Sequence, residues 1–134
     1  MATPLKPSIS PDTAFFWEGL REHELRIQKC ASCGLLRHPP RPMCPQCNSL
    51  EWNTIVASGN GTLHSFVMPQ HPPFPFMDYP YIVALVDLDE GVRLVSNLID
   101  IAPADASIDM PVEVCFAEFE GDLVLHQFRP RSRT

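Results

Sequence analysis

The chain has 134 residues, enough for one ordinary domain or two small modules in close contact. Ten Lys+Arg against 16 Asp+Glu give a formal charge of -6, which argues against a protein that binds nucleic acid mainly by neutralising phosphates. No apolar run reaches the roughly 18 residues that span a bilayer, and Met1–Pro11 lacks an apolar signal-peptide stretch, so a cytoplasmic protein with no membrane partner is expected.

In chain order, one segment reads as helix. Asp12 is a candidate N-cap, Phe15, Phe16, Trp17 and Leu20 supply an apolar face, and an end is expected near His23 to Leu25. Fifteen prolines forbid long helices elsewhere. Leu25–Gln28 leads into a first cysteine pair. Five strands are expected over Gly61–Met68, Tyr81–Leu88, Val92–Ile99, Val112–Glu118 and Leu123–Phe128. Asp89-Glu90-Gly91 and Glu120-Gly121-Asp122 supply short turns between them. Five short strands in this span suggest a small barrel or sandwich. Tyr81–Val86 is apolar at both strand parities, so something must cover its outer face: the helix, the cysteine module or a partner chain.

Charge and cysteine divide the chain in opposite ways. Met1–Asn60 carries 6 basic and 5 acidic side chains, or +1, whereas Gly61–Thr134 carries 4 and 11, or -7. Four of the five cysteines lie in the first half. A boundary is therefore expected near Ala57–Gly61.

Cys30-Ala-Ser-Cys33 and Cys44-Pro-Gln-Cys47 form two C-x-x-C pairs, a strong signature of a tetrahedral metal site. Each turn lets two thiolates reach one ion while backbone N–H groups face the sulfurs. Gly34 and Asn48 follow the pairs, and these residue types tolerate the positive φ with which the chain must leave such a turn. Disulfides would strain two adjacent loops and suit a secreted chain. A thioredoxin-type redox pair needs one C-x-x-C opening a helix in a βαβ unit. Zinc is the metal expected, with iron or no metal in the working protein the alternatives. Four thiolates leave no open position, so the metal is structural. Leu35, Leu36, Pro39, Pro40 and Pro42 are expected to form a stiff connection between the knuckles.

These stretches together resemble a known family. Phe15-Phe16-Trp17-Glu18-Gly19-Leu20, Leu25–Cys30, Cys33-Gly34 with Pro39–Pro45, Gly59–Leu63, Tyr81–Val86 with Glu90–Leu94, and Met110–Val114 are similar to DUF35 proteins, the OB-fold acyl-CoA-associated proteins with a rubredoxin-like zinc ribbon. His23 and Asp109 stand at turn positions where that family often has Gly. The resemblance covers about residues 12 to 130. It implies a mainly β protein with an N-terminal helix and zinc ribbon over 12–56 and a five-stranded OB-fold barrel over 57–130. It also implies an accessory subunit, with structural Zn2+, of a thiolase-superfamily enzyme (thiolase, aldolase or acyltransferase). There the thiolase-fold partner carries the catalytic cysteine and acyl-CoA is a candidate ligand.

No catalytic set of the chain's own emerges. His64, His71 and His126 lack a linking motif. Cys115 has the strand parity of Glu113 amid acidic neighbours, which suits a small buried thiol better than a nucleophile. In the proline-rich loop Met68–Tyr79, Phe74, Phe76, Met77 and Tyr79 are candidate contacts to a partner or acyl-CoA. Arg37 and Arg41 are candidates for CoA phosphates or an acidic partner surface. Two rival functions remain: an OB-fold module for single-stranded nucleic acid, which the -7 half opposes, and a self-sufficient acyl-transfer enzyme using Cys115 or a histidine.

Overall fold

The computed structural model describes residues 4–71, 73–75 and 80–131. Helix α1 (Ala14–Arg21) buries Phe16, Gly19 and Leu20, one stripe at i, i+3 and i+4. It begins one residue later than the sequence suggests. Thr13, not Asp12, is the N-cap, because the Ser10 carbonyl accepts both the Thr13 and Ala14 N–H groups, at 3.1 and 2.9 Å. The helix ends where His23 turns to φ 58°. There the Glu24 N–H bonds Gly19 O at 2.8 Å and the His23 N–H bonds Leu20 O at 3.0 Å, which satisfies the last carbonyls.

The chain then forms a three-stranded antiparallel sheet. Strand β1 (Arg26–Cys30) lies between β2 (Leu36–Arg37) and β3 (Trp52–Val56). The β1–β3 register runs from Arg26↔Val56 to Cys30↔Trp52. Leu36, expected in the stiff connection between the knuckles, sits in β2 opposite Lys29.

The second half is a closed five-stranded barrel of β4 (Asn60–Val67), β5 (Ile82–Leu88), β6 (Arg93–Leu98), β7 (Pro111–Phe119) and β8 (Leu123–Pro130), in the order β4-β5-β6-β8-β7 with β7 returning to β4. All five expected strands are present. The seam between β6 and β8 is parallel and holds a single ladder pair, Leu98↔Phe128, with the Ile99 N–H bonded to Phe128 O at 2.8 Å. Along β4 the pairing shifts between Leu63 and Ser65. The bulge at His64 lets both Leu63 and Phe66 turn toward the core although they are three residues apart.

One apolar core joins the parts. Phe16, Leu20, Leu25 and Ile27 from the helix and ribbon belong to the same cluster as Leu63, Ala84, Val86, Leu94, Val112 and Phe128 of the barrel. The Ala57 N–H donates to Leu25 O at 2.8 Å where the chain passes from ribbon to barrel. In β5 the burial alternates, with Ile82, Ala84, Val86 and Leu88 inward. The outer positions are only half-covered, and on β6 Val95 remains 61% exposed. Helix and ribbon therefore do not finish covering the face that the sequence marks as apolar on both sides. Among the described residues, no helix is long and apolar enough to cross a membrane.

Candidate metal centre and its surroundings

Two knuckles of matching geometry bring the four cysteines together. In the first, the Gly34 N–H bonds Cys30 O at 3.0 Å and the Cys30 N–H bonds Leu35 O at 2.9 Å. In the second, the Asn48 N–H bonds Cys44 O at 2.9 Å and the Cys44 N–H bonds Ser49 O at 2.9 Å. Gly34 and Asn48 take φ of 81° and 65°, the left-handed exit that their side chains permit. The loops are tied to each other by a Ser32–Ser49 hydroxyl bond of 3.0 Å, and the Ala31 N–H bonds Glu51 O at 3.0 Å.

The sulfurs of Cys30, Cys33, Cys44 and Cys47 all lie within 4.8 Å of one another. Cys30 and Cys47 are 3.5 Å apart, and Cys33 and Cys44 3.6 Å. A tetrahedral zinc with Zn–S bonds of about 2.3 Å requires sulfur separations of about 3.8 Å, so the set has the right size. Its acid–base state points the same way. The Cys33 N–H, 3.4 Å from the Cys30 sulfur, draws the Cys30 thiol down to about 6. At Cys47 the Ser49 amide also draws the thiol down, but the neighbouring sulfurs, Cys30 first, push it up to about 12. Without a cation the four cannot ionise side by side, whereas a divalent ion makes all four thiolates compatible. Cys30 and Cys44 are buried while Cys33 and Cys47 face solvent. These four residues are the ones that can hold a structural zinc, and a closed sphere of thiolates offers no position to a substrate.

Between the knuckles, a loop is held by the buried Gln28. Its Nε2 donates to Arg41 O and its Oε1 accepts the Arg41 N–H, both at 2.8 Å. Arg37 donates through Nη2 to the same carbonyl at 3.1 Å, and at 6% exposure it lies beneath the loop, not on the surface. Arg41 itself is exposed. Sequence reading missed the Gln28 clasp; a lone glutamine in a strand of otherwise apolar and charged residues was the available signal.

A second constellation was also missed. Phe16 lies between His38 of the ribbon and His126 of β8, with ring centroids 5.3 and 5.6 Å away. Ser96 Oγ lies 2.7 Å from His126 Nδ1 and donates to His126 O at 3.1 Å, bridging the open part of the β6–β8 seam. Burial holds the imidazoles of both His38 and His126 down at about 4, with the positive charge of His38 adding to the effect on His126.

Among the described residues, the remaining chemical candidates lie apart from one another. Cys115 stands opposite Gln127 on the barrel exterior, and burial raises its thiol above the ordinary range. His64 and Arg93 both hold the Asp87 carboxylate, at 3.3 and 2.6 Å, on the outer face. His71 is exposed at the loop. Phe74 is 44% exposed, whereas Phe76, Met77 and Tyr79 lie outside the described residues.

A short helix, a four-cysteine ribbon and a closed five-stranded barrel define a zinc-ribbon/OB-fold protein. Residues 17–52 match the family model of the ChsH2 rubredoxin-like zinc ribbon domain, and residues 54–117 that of the ChsH2 C-terminal OB-fold domain. The chain belongs to the DUF35 family. It is 47% identical over 125 residues to a probable enoyl-CoA hydratase alpha subunit of Thermomonospora curvata, covering 93% of this chain and 39% of that one. It is 31% identical over 116 residues to the benzoylsuccinyl-CoA thiolase subunit BbsA of Thauera aromatica, covering 81% and 79% of the two chains. A solved chain of the Ltp2-ChsH2(DUF35) aldolase superposes with a TM-score of 0.90 at 47% identity, over 93% of this chain and 98% of that one. The chain thus spans about two fifths of the hydratase subunit it matches and nearly all of the aldolase component.

Proposed function

We propose that the chain is a non-catalytic, zinc-stabilised accessory subunit of a thiolase-superfamily acyl-CoA enzyme, working in the cytoplasm. The observation that carries this reading is the match along nearly the whole length of a component of a two-protein aldolase. The resemblance to a thiolase subunit supports the same class of partner. The chain's own chemistry fits: the metal sphere closes on four thiolates, and burial raises the Cys115 thiol, which disfavours a nucleophile. In this reading a thiolase-fold partner forms the acyl-enzyme. Residues 12–56 act as the ribbon module and 57–130 as the OB-fold module. Arg41 and Phe74, both exposed, are contact residues toward the partner, and acyl-CoA is the candidate ligand of the assembly.

Purification from the native source at low salt, followed by native mass spectrometry, tests the reading. One metal per chain and a thiolase-fold companion are expected, with no acyl transfer by the isolated chain. Recovery of the chain alone, or turnover by it that Cys115→Ser abolishes, would overturn it.

A further inference from the structure

The outer face of β4, β5 and β6 is built unlike the rest of the barrel surface. By register, Val67, Val83 and Asn97 form one cross-strand row, and Ser65, Leu85 and Val95 the next. Val67 and Val95 are 62% and 61% exposed. Where β6 and β8 part above their single ladder pair, a groove of about 310 Å³ opens beside these rows. Trp17, Tyr81, Val83, Val95 and Leu125 form its apolar walls, and Ser96, Asn97 and His126 supply its polar atoms.

Charge sets this face apart as well. The half of the chain from Gly61 onward carries 11 acidic side chains. Among the described residues, only Asp87 of these points outward from β4, β5 or β6, and it is neutralised in place by Arg93 at 2.6 Å and bonded by His64 at 3.3 Å. The other acids of the described barrel lie on β7, in its connections and in its turns. On an acidic barrel this face carries one paired acid at one end and is otherwise largely apolar, with a polar triad at one border. This is the composition of an interface centre with a polar rim. Patches of a few hundred Å² on a monomer are commonly functional. A stable interface needs about 800 Å² from each side, so the surface must extend past the patch. Met68, next after β4, is 39% exposed and extends the apolar surface along that strand.

We infer that this face, anchored at the Trp17–Tyr81–Val95 groove, is where the thiolase-fold catalytic subunit docks, with a bulky apolar side chain of that subunit seated in the groove. The inference rests on the accessory-subunit reading and adds the place of contact. A nucleic-acid strand is a poor occupant, since the face holds one cation already paired to Asp87.

The test uses the full chain and Ltp2, the protein paired with the matching chain in the aldolase structure, with binding measured by titration calorimetry and native mass spectrometry. Val95→Lys and Val67→Lys alter exposed side chains, and circular dichroism and zinc content verify that each variant is folded. Each is expected to weaken binding at least tenfold, while Glu118→Lys on β7, away from this face, leaves binding within twofold. Wild-type binding that both valine variants retain would overturn the docking site but leave the accessory-subunit reading standing. Failure of the wild type to bind Ltp2 would count against that reading, and the docking site would fall with it. A homodimer that dissociates in Val95→Lys would show that a second copy is the occupant, which also overturns the inference.

Discussion

Mild acid will destabilise this protein through two buried histidines. Burial holds His38 and His126 at about 4 in the folded chain, against about 6.5 when unfolded. The unfolded chain therefore takes up protons that the folded chain refuses. The stability these groups contribute is full above about pH 7 and is lost as pH falls through 6.5 toward 4. Between pH 7.5 and 5.5 the linkage relation gives a loss of about 3 kcal/mol for the two histidines together. That is a large part of the 5–15 kcal/mol typical of a domain. The four thiolates also make the zinc ribbon acid-sensitive, so the histidine share must be isolated by difference. Urea unfolding of the zinc-loaded wild type and of His38→Gln/His126→Gln should be followed at both pH values. The packing cost of the replacement is the same at both pH values, whereas the histidine contribution is absent from the variant, so the variant's pH dependence should be shallower by about 3 kcal/mol over this range. Parallel profiles for the two proteins would refute the reasoning.

Three further outcomes follow from the geometry. Gln28→Ala leaves the Arg41 N–H and carbonyl without their clasp and should cost about 2–4 kcal/mol, read as a lower urea midpoint with zinc content retained. Gly59→Ala places a Cβ 2.2 Å from Val114 Cγ1 at φ 86° and should lose at least about 2 kcal/mol; an unchanged melting temperature would contradict the close approach. Cys44→Ser removes a fully buried ligand and should drop bound zinc from one per chain to near zero by elemental analysis.

The fold was readable wherever a local pattern carried it. The cysteine pairs, with Gly34 and Asn48 behind them, announce both the ligands and the backbone turn, because all the determinants lie within a few residues. The barrel strands show in their apolar runs and in the turns that separate them. The family resemblance marked His23 and Asp109 as unusual, and both take positive φ, 58° and 69°, where glycine would be strain-free. Strands β2 and β3 were harder. The first has two residues, and the second, as an edge strand, leaves Trp52–Val56 half-buried or exposed without clear alternation. The Phe16 sandwich between His38 and His126 could not be read at all. It joins three elements distant in sequence, and no spacing rule connects a helix phenylalanine to a ribbon and a barrel histidine.

The unbroken core from Phe16 through Ile27 to Phe128 has a consequence for how metal and partner affect each other. If ribbon and barrel unfold together, occupation of one is felt by the other without any shape change between them. A subunit that grips only the folded barrel raises the apparent affinity for zinc, and zinc raises the apparent affinity for that subunit by the same factor. Metal supply would then govern assembly of the complex from a site that never meets the substrate.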